Sequence, residues 1–295
     1  MDLLSLHDIP SYLSGPTLLV VLTAMGLGVG ILTGLFGVGG AFVLTPLMNV
    51  LLGVPYSLGT GCSMSFTIGT GAAGWAQNMR LGNVATKSMI ILAGGSICGT
   101  VLGQQLHEAL LDHFGDEGFT LMMHGLFIVI LLLTAWMIAR WSPREKAGLS
   151  LLQRLPIGPH IEVRLAGLKG VSLPGMCAVG LVIGVLKGLM GIGGGVLLMP
   201  IMLLVVGLTI RHAIGTSLGV VLFSSIAGAV LYGRHGQANL WMVMALLAGS
   251  TTGVQIGVWL CHRWQADRIR RYFAWFILGV IAMLAWDLVH KLISR

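Results

Sequence analysis

Gly34-Leu35-Phe36-Gly37-Val38-Gly39-Gly40, with Pro46 six residues on, returns as Gly188-Leu189-Met190-Gly191-Ile192-Gly193-Gly194 with Pro200. The offset is 154 residues and holds without a gap from 26–106 to 180–260. Of the 81 aligned positions 25 are identical, and 13 of those are glycine, so one unit occurs twice and its shared residues are mostly small. A duplicated apolar unit, interrupted at the same place in each copy, points to a membrane transporter.

Composition agrees. Charged residues make up 9% of the chain, against about 25% in a soluble protein. Apolar residues make up 56%, too many for a water-covered surface. Thr17–Leu35, Phe119–Ala139, Val171–Leu186 and Tyr272–Trp286 carry no charge. Each approaches the ~20 residues that cross a bilayer core about 30 Å thick. The fold class expected is therefore all-α and integral to the lipid bilayer. The N-terminus, with Asp2, His7 and Asp8, lacks the basic start of a secretory signal. Net charge is +7, but the basic residues lie in short loops between spans, where they report orientation rather than nucleic-acid binding. Cys62, Cys98, Cys177 and Cys261 stand singly without CxxC spacing and read as small hydrophobes, not as a metal or disulfide set.

Each half reads as five helical segments. They fall at about 15–36, 41–53, 56–78, 85–107 and 119–141, then at 171–190, 195–208, 212–232, 239–262 and 271–290. The divisions are an N-terminal segment 1–14, a first transmembrane repeat 15–141, a cytoplasmic linker 142–170, a second repeat 171–290 and a tail 291–295. If the short segments 41–53 and 195–208 cross the bilayer, the repeats are inverted; if they dip and return, the repeats are parallel. Charge favours inversion. With the basic linker inside, five crossings per half divide Lys and Arg (Lys187 aside) 13 inside to 3 outside, and four crossings divide them 11 to 5. Thirteen helical residues rise only about 20 Å, so the short segments need thinning, glycine extension or burial among neighbours.

Glycines at 37, 39 and 40, and at 191 and 193–195, let the backbone unwind between an apolar helix and a short one. In lipid such unwinding is tolerated where it lines an enclosed or watery cavity. The helix that follows begins with unpaired N–H groups and the positive end of its dipole. Two such starts would hold an anion near the midplane, at Gly39, Gly40 and Ala41 and at Gly193, Gly194 and Gly195. The bland reading is close helix packing. A nucleotide cofactor does not fit these glycines, since neither the Rossmann acid nor a Gly-Lys-Ser/Thr run is present.

A second repeated cluster, Thr60-Gly61-Cys62-Ser63 against Ile214-Gly215-Thr216-Ser217, opens the third segment of each half. Ser63, Thr216 and Ser217 would offer hydroxyls to an oxyanion, or would simply cap those helices. Lys187 lies inside a span, where an ionisable residue costs about 2.5 kcal/mol or more; it either faces the cavity or snorkels. Its repeat mate is Thr33. No Asp or Glu lies deep in a span, Asp287 being near the end of the last, which favours anions over cations as cargo. His124 reads as a packed histidine near a span end. Arg80-x-Gly82 and Arg234-x-Gly236 also repeat and read as surface anchors.

At these residues the chain resembles the TauE/SafE sulfite-exporter family, also called toluene-sulfonate uptake permeases. The resemblance rests on the Gly-Leu-x-Gly-x-Gly-Gly break followed by proline at Gly34–Pro46 and Gly188–Pro200. It rests also on the Ala/Gly-x-Gly-Thr-Ser cluster, intact at Ala213–Ser217 and altered at Gly59–Ser63, where Cys62 replaces threonine. It covers about 15–290 and implies an inner-membrane permease for sulfite, sulfonates or related anions. The reading is thus an anion permease of two inverted repeats, without metal or cofactor, exporting by alternating access. A passive channel, a proton- or sodium-coupled uptake carrier and an intramembrane enzyme stay open, as does a homo-oligomer.

Overall fold

The computed structural model describes residues 15–140, 159–163, 168–191 and 195–293. Helix α1 (Gly15–Phe36) ends at the first break, and α2 (Ala41–Leu52), α3 (Tyr56–Arg80) and α4 (Thr86–Arg140) follow. Strands β1 (His160–Val163) and β2 (Leu168–Ser172) pair antiparallel. Then come α5 (Leu173–Met190), α6 (Gly195–Ile201, continued by a π turn over Met202–Val206), α7 (Ile210–Arg234), α8 (Leu240–Arg263) and α9 (Ala266–Ile293).

The expected segments are present, with two differences. The stretch 108–117 is helical on both sides of Gly115, whose φ of 64° and ψ of 174° leave the helical region, so Thr86–Arg140 is two helices meeting there at a kink. The two limbs of α4 are the fourth and fifth segments, joined directly at that residue. Among the described residues of the connection, β1 and β2 pair as strands, so that part is not helical. Long helices with apolar surfaces, α1, α4, α5, α7, α8 and α9, are of membrane-crossing length. Their outward faces carry exposed Leu19, Val20, Val129, Val182, Trp241 and Trp275, and the buried faces carry small residues. This is a multi-pass membrane protein.

Helix α1 packs along α8, and α4 along α5, through glycine. Gly26, Gly30 and Gly34 abut the backbone of Leu246, Ser250 and Val254, while Gly180, Gly184 and Gly188 abut Leu92, Ser96 and Thr100. Adding 154 to one member of each contact and subtracting it from the other converts the first set into the second. Any side chain here would hold the helices apart, which is the small-residue packing that lipid-embedded helices use. Helices α3 and α7 are the equivalent pair in contact with each other. Gly61 meets Tyr232, Gly71 meets Leu222, and Gly74 meets Leu218, so the two run antiparallel.

The short helices lie inside. Ala41–Pro46 of α2 and Gly195–Pro200 of α6 are buried throughout. Phe36 and Phe42 pack on α9, with Phe36 4.7 Å from Phe273 and Phe42 5.9 Å from Phe276 between ring centroids. Enclosure by protein is what lets twelve-residue segments exist here without spanning lipid on their own.

Candidate functional site

The first break is sharp. Gly37, Gly39 and Gly40 have φ of 70°, 76° and 77°, left-handed values that L side chains resist, and α2 starts at once at Ala41. In the second repeat α5 closes on Gly191 at φ 65° and α6 opens at Gly195; Gly193 and Gly194 lie outside the described residues. The breaks meet: a Cβ on Gly195 would overlap the backbone of Val38, which is fully buried. The first-turn N–H groups of α2 thus point from a buried helix start at which both repeats converge.

Each break is held by the other repeat. Ser217 Oγ donates to the Gly37 carbonyl at 2.6 Å. In the equivalent place Ser63 Oγ accepts from Thr45 Oγ1 at 2.8 Å, and Thr45 Oγ1 stands 3.3 Å from the Gly191 carbonyl. Those carbonyls end α1 and α5; a hydroxyl from the other repeat satisfies that of Gly37, and the Thr45 hydroxyl, shared with Ser63, is within reach of that of Gly191. Simple N-capping does not describe these serines. Ser63 and Ser217 each lie seven residues beyond the first residue of their helix, Tyr56 or Ile210, two turns inside.

The other members of the cluster also reach across. Gly61 seats against the backbone of Gln237 and Gly215 against that of Asn83, the equivalent residue. Thr216 Oγ1 accepts from the Ala85 N–H at 3.0 Å, and Cys62 Sγ accepts from the Asn239 N–H at 3.2 Å. Cys62 therefore stands in for threonine by the same bond to the same place. We expect Cys62→Thr to leave the melting temperature within about 1 °C of wild type, and Cys62→Val to lower it by losing a bond worth about 1 kcal/mol. Thermal unfolding in detergent checks both.

Lys187 does not snorkel. It is 1% exposed, and its ammonium donates to the Val221 carbonyl at 2.9 Å, Ser224 Oγ at 2.6 Å and Ser225 Oγ at 2.8 Å. Val221 also packs its side chain on Gly39, and Thr70 Oγ1 lies 3.3 Å from the Gly39 carbonyl. The ammonium is thus one residue's width from the first break, with its three hydrogens occupied by oxygen.

The fold brings Gly39, Gly40, Ala41, Gly195, Ser63, Ser217 and Lys187 around one junction, whereas Thr216 sits at its margin, on the start of α4. Sequence reasoning missed Thr45, Thr70, Ser224 and Ser225. The last two left a trace, since Ser224-Ser225 replaces Thr70-Gly71 of the first repeat in the copy that also has lysine. It missed two further partners of α5 as well. Tyr232 Oη donates to the Gly188 carbonyl, and His107 Nδ1 lies 2.7 Å from that of Leu189. His124 and Asp287, read apart in the sequence, are 3.5 Å from each other between α4 and α9.

Comparison with known proteins agrees with this architecture. The chain is 28% identical over 259 residues to "Probable membrane transporter protein YjnA" of Bacillus subtilis, covering 88% of this chain and 96% of that one. It is 26% identical over 257 residues to YunE of the same organism, named likewise, covering 85% and 91%. It is 26% identical over 225 residues to "Probable membrane transporter protein MJ0441" of Methanocaldococcus jannaschii, covering 73% and 72%. No solved structure matches. Residues 20–284 match the family described as sulfite exporter TauE/SafE, and the chain belongs to that family of membrane transporters.

Proposed function

We propose that this membrane transporter is a permease for a small sulfur-containing or organic oxyanion, exporting it by alternating access between two inverted repeats. The observation that carries the reading is the convergence of both breaks at Val38 and Gly195, with a buried helix start and an uncancelled ammonium beside them. Antiparallel packing of the equivalent helices α3 and α7 supports inversion, because only an operation that reverses helix direction relates them. The anion would bind at Gly39, Gly40 and Ala41 and at Gly193, Gly194 and Gly195, with Ser63, Thr216, Ser217 and Lys187 completing the site.

With Val38 against Gly195 and Ser217 bonded to Gly37, we read the described conformation as an occluded one. Access would come from one repeat rocking on the other, parting Ser217 from Gly37 and Thr45 from Gly191. The basic linker 142–170 would lie in the cytoplasm. A monoanion leaving a negative interior gains about 2.3 kcal/mol per 100 mV, so export needs no coupling ion.

Counterflow in proteoliposomes tests this. Radiolabelled sulfite outside should accumulate transiently when the lumen is loaded with unlabelled sulfite, and uptake should saturate. Equilibration without overshoot would mean a channel, and no movement of sulfite or sulfonates would remove the substrate class. A thermal-shift screen against sulfite, sulfate, thiosulfate, sulfoacetate and short carboxylates would rank ligands, since a ligand of the folded form raises its melting temperature.

A further inference from the structure

We propose that the Lys187 ammonium is a tethered cation filling an oxygen cage that would otherwise bind sodium, so that transport by this protein is sodium-independent. A main-chain carbonyl (Val221) and two hydroxyls (Ser224, Ser225) converge within 2.9 Å of one point, on consecutive turns of a buried helix. Carbonyl and hydroxyl oxygens beside a helix break are the donors that sodium-coupled carriers offer to the ion. Ser224 orients its lone pairs to the cation by donating its own proton to the Val220 carbonyl at 2.7 Å.

Charge is what the site is built for. Among the described residues no carboxylate pairs with Lys187. A buried ammonium without a counter-ion is costly, and a purely structural role would not need one. The first repeat shows this: Thr33 stands in the equivalent position and returns its hydroxyl to the Val29 carbonyl at 2.8 Å within its own helix. There the equivalents of Val221, Ser224 and Ser225 are Thr67, Thr70 and Gly71, so the third oxygen of the cage is lost together with the lysine, and Thr70 turns its hydroxyl toward backbone carbonyls instead. The positive charge stays uncompensated next to the break, where a cargo anion can use it. In a carrier with a mobile ion that charge would come from solution.

The transport half of this inference rests on the anion-permease reading; the cage itself does not. Two measurements separate them. The first is the melting temperature of purified protein in sodium chloride against choline chloride at equal ionic strength. Wild type should be indifferent, while Lys187→Ala, which vacates the cage but keeps its oxygens, should gain roughly 3 °C or more from sodium. Lys187→Met, which fills the space with an apolar stem, should gain nothing. A sodium response in wild type, or equal responses from the Ala and Met variants, overturns the proposal.

The second is wild-type sulfite counterflow with sodium replaced by choline, which needs no variant to fold. Rates within a factor of two support the inference, and a loss of more than about fivefold refutes it while leaving the permease reading intact. If sulfite does not move at all, the permease reading fails for that substrate and the melting experiment still decides the cage.

Discussion

Gly195→Ala is expected to lower the melting temperature by about 6–12 °C and to abolish counterflow, although its repeat mate is already Ala41. Judged from the two copies alone, the change looks conservative. The packing says otherwise: the new methyl would overlap the carbonyl oxygen, carbonyl carbon and Cα of Val38, all backbone atoms of the opposite break. A side chain could rotate away, but a backbone held by Ser217 one residue earlier cannot. The cost should therefore fall near the upper end of overpacking, about 3 kcal/mol. Gly94→Ala is the control, because nothing lies within 4 Å of a Cβ there and alanine improves helix propensity. If Gly195→Ala melts like wild type, the two breaks are not in contact.

The second large effect is an asymmetry between equivalent serines. Ser217→Ala leaves the buried Gly37 carbonyl without the hydroxyl that now donates to it, a loss of roughly 1–3 kcal/mol. Ser63→Ala should cost under about 1 kcal/mol, since Thr45 can turn its hydroxyl wholly to the Gly191 carbonyl, already 3.3 Å away. Thermal unfolding of the two variants, with Ser63→Ala/Thr45→Val as a third, checks the ranking. Equal losses from the single variants would show that Thr45 does not bridge the second junction. The ranking also bears on the proposed transport cycle: if the repeats part as proposed, the Ser217 bond breaks, so weakening it should destabilise the proposed occluded state most.

The duplicated glycine-rich stretch allowed the broken helices to be anticipated, because left-handed backbone leaves a compositional mark at Gly37, Gly39 and Gly40. The helix count was legible for the same reason that hydropathy works: a span's outer face is apolar whatever its partners are. Partners themselves left little mark. Ser63 and Ser217 looked like caps because hydroxyls near a helix start usually are, and nothing local says that Ser217 donates to a carbonyl 180 residues away or that Ser63 accepts from Thr45. Cys62 seemed a defect in its copy, yet a sulfur at that position accepts the same N–H as a threonine does. The helical backbone on either side of Gly115 was hidden too, since the polar stretch 108–117 carries loop chemistry although the two limbs of α4 meet there at a single kinked residue. His124 and Asp287 are far apart in sequence, and only the approach of α9 to α4 pairs them.

The central claim is that the junction at Val38 opens in turn to each side of the membrane as an anion passes. The direct test is thiol labelling of Val38→Cys, in a background with Cys62→Thr, Cys98→Ala, Cys177→Ala and Cys261→Ala, by a membrane-impermeant maleimide. It is run on right-side-out and inside-out vesicles, with and without sulfoacetate, an anion that does not attack the reagent. The account predicts labelling from both sides, slow because the resting junction is closed, and changed severalfold in opposite senses on the two faces when sulfoacetate is present. Labelling from neither side, or equal labelling that no anion alters, would contradict it.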